Sequence, residues 1–133
     1  MKLILAAIAW LAMALNSSPQ CLKADIVLVL DWSGSEKGNQ MYVPMAAQEL
    51  ISDLHLGPSL VKVGVVPFCE GPIPLFCVPL TFDEAKLTAN FAYMLQFQPE
   101  GGTQITKAIQ LAWDYFEESE RERGEKVLRV MIL

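Results

Sequence analysis

The chain has 133 residues, 53% of them hydrophobic and 19% charged, and a formal net charge of −5. That length allows one domain with a modest core, and the acidic balance excludes the basic footprint that nucleic-acid binding needs.

Lys2 precedes an uncharged run from Leu3 to Leu15, and Ala12-Met13-Ala14 has the small-x-small pattern of a cleavage site. This is the layout of an export leader over residues 1–24, with Ala24 as a second candidate end. The product is then secreted, periplasmic or on the cell surface. The run is shorter than the roughly 20 residues of a membrane span, so membrane attachment would come only through an uncleaved leader or a region beyond Leu133. A buried amino-terminal helix is the alternative. Removing residues 1–24 takes the charge from −5 to −7, because Lys2 and Lys23 leave and no acid does.

Asp25 opens Asp-Ile-Val-Leu-Val-Leu-Asp-Trp-Ser-Gly-Ser, whose unbroken apolar run suits a strand covered on both faces of a parallel sheet. A helical stripe follows from Asn39 to Leu54, carried by Met41, Val43, Ala47, Leu50, Ile51 and Leu54, with Pro44 confined to its first turn. Gly57-Pro58 stops it. Val61 to Phe68 reads as a second strand that ends near Pro67, and Phe76 to Leu80 as a third, paired with it as a hairpin. Thr81 and Glu84 have the spacing of a capping box. The helix they start reaches about Gln96, with Leu87, Phe91, Met94 and Leu95 inward. After Gln98-Pro-Glu-Gly-Gly102, a helix from Thr103 to about Arg123 turns Ile105, Ile109, Ala112 and Phe116 inward, and Gly124 ends it. Its charged end, Glu117 to Glu122, reads as a solvated face. Val127 to Leu133 is a fourth strand, apolar enough to be central. The order of elements predicts an α/β domain, a Rossmann-like open and mostly parallel sheet flanked by helices.

Two places carry chemistry. Asp31, Ser33 and Ser35 fall at the carboxyl end of the first strand, where such sheets bind ligands. A carboxylate with hydroxyls is a hard-oxygen donor set, suited to Mg²⁺, Mn²⁺ or Ca²⁺. Gly101-Gly102-Thr103 sets a third hydroxyl at the start of a helix, behind two glycines that let the backbone approach closely. Helix capping is the competing role for the two serines and for Thr103. Cys69 and Cys77 flank a turn-rich segment, which allows a disulfide or two buried free thiols, while Cys21 has no evident partner.

Together, Asp31-Trp-Ser33-Gly-Ser35 after an apolar strand, Val63-Gly-Val-Val-Pro-Phe68, and Gly101-Gly-Thr103-Gln-Ile resemble the von Willebrand factor A domain and its metal-ion-dependent adhesion site, over about residues 25 to 133. The resemblance implies that Ser33, Ser35 and Thr103 supply hydroxyl ligands, and that Asp31 holds the metal directly or through water. It further implies that an acidic side chain of a protein partner completes the coordination, a binding mechanism and not catalysis. In that family a further aspartate follows the fourth strand and the sheet continues in the order 3-2-1-4-5-6. This sequence reaches only 3-2-1-4 and stops at Leu133, so it reads as the amino-terminal part of a longer protein or as a truncated gene product, with completion of the sheet by another chain as the alternative.

Two other functions compete. One is a scaffold or assembly module without a metal, or a fragment without function of its own, which the missing aspartate favours. The other is a serine hydrolase using Ser33. The nucleophile elbow wants Gly-x-Ser-x-Gly, which this turn lacks, and His55, the single histidine, sits near the far end of the first helix.

Overall fold

The computed structural model describes residues 23–34 and 38–133. Residues 1–22 of the expected leader, Cys21 among them, and Ser35 lie outside the described residues, while Ala24, the expected leader's last residue, already belongs to the first strand.

β1 (Ala24–Asp31) is the middle of the sheet: six successive side chains, Ala24 to Val29, are at most 2% exposed. An unbroken apolar strand can only be buried this way if neighbours cover both edges and helices cover both faces. β2 (Val61–Phe68) and β4 (Leu128–Ile132) flank it in parallel, and β3 (Val78–Thr81) runs antiparallel on β2. The resulting order, β3-β2-β1-β4, is the one expected, with β4 at an edge although its apolar sequence suggests a central place.

Side chains alternate between the two faces along each strand. Ile26, Leu28, Val63 and Val65 pack under α1 (Tyr42–Ser52) and α2 (Glu84–Met94), against Leu50, Ile51, Leu87 and Phe91. Val27, Val29, Val66 and Phe68 face α3 (Ile105–Arg123), meeting Ala108, Ala112, Tyr115 and Phe116. The domain is thus a helix–sheet–helix sandwich whose central layer is almost wholly apolar. Among the described residues, no helix is long and apolar enough to cross a membrane.

Local chemistry explains where the helices begin, and it departs from expectation at several points. Pro44 is buried in the first turn of α1, where its missing N–H removes no helical hydrogen bond. Met41, expected inward, is exposed ahead of that turn. Thr81 does not cap α2: it still belongs to β3, and its Oγ1 accepts from Asp83 N at 3.2 Å, leaving the Asp83 carboxylate to cap the helix by accepting from Lys86 N at 3.1 Å. In α3, Ile105 is exposed and Ile109 half-buried, and the inner face is centred instead on Ala108, Ala112, Tyr115 and Phe116. Gly124 ends α3 in the left-handed conformation, φ 69°, as its sequence position suggests.

The charged end of α3 is only partly a solvated face. Arg123 turns under the sheet, where its Nη2 donates to Asp25 Oδ1 at 2.8 Å and its Nε donates to the same oxygen at 3.1 Å. The two side chains are 3% and 1% exposed. Arg123 also donates to the carbonyls of Leu60 at 3.0 Å and Pro58 at 3.3 Å, so one guanidinium joins α3, β1 and the approach to β2. Glu120 pairs with Arg129 of β4, which lies over the rings of Trp113 and Phe116.

Cys69 and Cys77 are both free thiols, and the disulfide their spacing allows is absent. Cys77 instead meets Tyr115 of α3, whose hydroxyl donates to its sulfur. Burial pushes the Cys77 thiol from 9.0 up to about 11, outweighing the opposite pull of that hydrogen bond. Burial, reinforced by the neighbouring Cys77, pushes Tyr115 from 10.0 up to about 12.

Two outcomes follow from these contacts. Asp25→Ala and Arg123→Ala should each lower the free energy of urea unfolding by about 3 to 5 kcal/mol, because each strands a buried charge, and the double variant should lose clearly less than the sum. Cys77 and Tyr115 hold their protons more tightly folded than unfolded. Their stabilisation is therefore present below about pH 9 and is lost as pH rises from about 9 to 12, through the folded values. The urea midpoint should fall across that window and fall less in Cys77→Ala, while iodoacetamide at pH 8, read by peptide mass mapping, should label Cys77 about a hundredfold more slowly in the folded chain than in urea.

Candidate functional site

Because β1, β2 and β4 run parallel, their carboxyl ends share one rim of the sheet, and three loops meet there. The first leaves β1. Asp31, half-buried, is the last residue of the strand, and its Oδ1 accepts from Ser33 N at 2.9 Å, a side-chain-to-backbone bond that folds the chain into a turn. Trp32 N donates to Phe68 O at 2.8 Å, which carries the β1–β2 pairing one residue past the strand, and the Trp32 ring is buried in the core under α1 and α2. With Trp32 spent on the core, the residues on either side of it, Asp31 and Ser33, are the ones set on the loop. Ser33 is 1% exposed.

The second loop precedes α3. Gly34 N donates to Gly101 O at 3.1 Å, which brings the Asp31–Ser33 turn against the Gly101-Gly102-Thr103 segment. At Gly101 this approach depends on glycine, because its φ of +80° lies in a region that side chains disfavour, while a Cβ at Gly34 would meet Gly101 O at 3.4 Å, an ordinary contact. The helix is capped by Gln104, so Thr103 stands one residue ahead of the cap. Thr103 is therefore not the N-cap of α3, whereas Ser33 directly precedes the 3-10 turn that begins at Gly34. The competing capping role is thus set aside for Thr103 alone.

The third loop follows β2. Gln104 N donates to Cys69 O at 2.7 Å, and Cys69 N donates to Gly71 O at 3.0 Å, so this loop is tied to the Thr103 segment from the other side. It places Glu70 against Gly101 and Gly102, a residue that the sequence motifs do not single out. The signal available is its position, an acid two residues past a buried parallel strand.

Three of the four expected residues, Asp31, Ser33 and Thr103, thus lie on two loops that are hydrogen-bonded to each other, and Ser35 falls outside the described residues. Among the described residues, no three His, Cys, Asp or Glu side chains gather in a cluster. The expected donors, the Asp31 carboxylate with hydroxyls, are the set whose chemistry matches Mg²⁺, Mn²⁺ or Ca²⁺ better than zinc. His55 follows α1 near Leu56, which bridges to Val61 at the amino end of β2, so it lies at the opposite end of the sheet from Ser33. A Ser33–His55 pair is not assembled.

Comparison with curated proteins gives no match. Residues 25–133 match the von Willebrand factor type A domain, a span that takes in nearly all of β1, every later element and both motif loops. With its sheet order and its two loops meeting at the carboxyl rim, this chain belongs to the von Willebrand factor type A domain family.

Proposed function

We propose that this chain is an exported, metal-dependent protein-binding module of the adhesion type. Asp31, Ser33, Ser35 and Thr103 hold a hard divalent cation, Mg²⁺ first with Mn²⁺ and Ca²⁺ as alternatives, and an acidic group on a protein partner takes an open position on it. When bound, the cation supplies a positive centre to which a carboxylate binds directly. Asp31 orients the Ser33 turn, and the two glycines keep the Thr103 loop close to it. Membership of a family of interaction modules supports the binding role. Export rests on the leader layout of residues 1–24.

One observation carries the reading: the 3.1 Å bond from Gly34 N to Gly101 O joins two motifs that lie about 70 residues apart in sequence. Two hydroxyl-bearing turns from distant parts of the chain are thereby held together by backbone at the carboxyl rim.

A second reading, assembly without a metal, is favoured by β4, which among the described residues pairs with β1 alone and leaves Leu128 49% exposed at the edge of the described sheet. An uncovered apolar edge is a template for pairing with another strand.

Calorimetric titration of the chain with Mg²⁺ and Mn²⁺ should show binding that Asp31→Ala and Thr103→Ala each weaken by at least about tenfold. Equal binding by both variants and the parent would sink the site assignment. In sedimentation velocity, the metal reading expects the sedimentation coefficient to be the same for chain alone in Mg²⁺ and in chelator. Assembly that persists unchanged in chelator, in a chain that binds no cation, would favour the second reading.

A further inference from the structure

We infer that Glu70 supplies a second protein carboxylate to the cation site, an inference that rests on the metal-dependent reading above. Asp31 stands opposite Phe68 in the β1–β2 register, and Glu70 follows Phe68 by two residues. The two acids therefore leave the same rim from adjacent parallel strands. The Glu70 side chain lies along the glycine pair that precedes Thr103: its Cγ is 3.6 Å and 3.5 Å from where Cβ atoms of Gly101 and Gly102 would stand, and its Oε1 is 3.8 Å from the latter point. These are ordinary van der Waals distances, so the Glu70 side chain packs directly on the glycine segment.

The placement is fixed by backbone and not by chance of rotamer alone. Cys69, next to Glu70, accepts from Gln104 N through its carbonyl, which ties the base of the Glu70 side chain beside the Thr103 segment, and its N–H donates to Gly71 O, which closes the turn that carries Glu70. Among the described residues the Glu70 carboxylate has no hydrogen-bond or ion-pair partner, although Lys107 lies over the adjacent Gly71. A solvated carboxylate needs no partner, so that fact decides nothing alone. Joined to its position on the Thr103 segment, it leaves an acid at the rim with no structural contact to maintain.

The chemistry gives that acid a use. Hard cations are held chiefly by carboxylates, and affinity rises with the number of charged ligands. Asp31 with three hydroxyls supplies one negative charge. Adding Glu70 supplies two, enough to neutralise a divalent ion within the chain itself.

The test is Mn²⁺ binding to the whole chain, read as free Mn²⁺ by electron paramagnetic resonance, in the parent, Glu70→Gln, Asp31→Ala and Glu117→Gln. Glu117 is an exposed acid on α3 and controls for loss of net charge. Glu70→Gln should weaken Mn²⁺ about tenfold or more, with Glu117→Gln unchanged and the circular dichroism of all variants alike. If Glu70→Gln binds as the parent does while Asp31→Ala loses Mn²⁺, Glu70 is not a ligand and the functional reading stands. Equal losses in Glu70→Gln and Glu117→Gln would also overturn the inference, as an effect of overall charge. A parent that takes up no Mn²⁺ overturns both it and the reading beneath it.

Discussion

Burial of β1 on both faces is the constraint from which the rest of the molecule follows. Six consecutive residues with at most 2% exposure cannot be met by one helix or one neighbouring strand. They require β2 and β4 on the edges, α1 and α2 above, and α3 below. Burying a Val, Leu or Ile side chain is worth about 1.5 to 3 kcal/mol, so this strand contributes a large share of the apolar driving force per residue. Its polar chemistry is pushed to its two ends. Asp25 and Asp31 bracket the apolar run, and the surroundings give them opposite fates. Asp25 is sealed under α3 and neutralised by Arg123, while Asp31 emerges at the carboxyl rim and spends one oxygen on orienting Ser33.

What a sequence reveals depends on the range of each interaction. β1 and β2 are legible because an unbroken apolar run of that length suits little besides a buried strand, and the two motif loops because glycine and hydroxyl residues punctuate them. Asp25 is not, since a charge at a strand start looks solvated until a residue 98 positions away is seen to meet it. Glu70 escapes in the same way: the glycines it rests on are about 30 positions further along. The isoleucines of α3 point to one contact face, whereas the structure centres it on two alanines and Tyr115. Periodicity requires that a helix have an inner face, but the sheet it meets selects which of several nearby phases is used. The cysteine spacing leaves a disulfide and free thiols equally open, and the contact Cys77 makes instead is with Tyr115, a residue of another element that spacing does not reveal.

The two ends of the sheet are connected through α3. A helix of 19 residues is about 28 Å long at 1.5 Å per residue, enough to run from one rim of the sheet to the other. Arg123, its last residue, is fastened to Asp25, Leu60 and Pro58 at the amino rim. Gln104, its cap, is fastened to Cys69 at the carboxyl rim. Between them Ala108, Ala112 and Phe116 lie flat on Val27, Val29 and Val66, so the helix has little freedom to slide. A close-packed interior transmits strain and does not absorb it. The position of Thr103 is therefore set less by its own loop than by a rigid element clamped at both ends. The buried ion pair at the far rim is one of those clamps, and it helps fix where the Thr103 hydroxyl stands relative to Asp31.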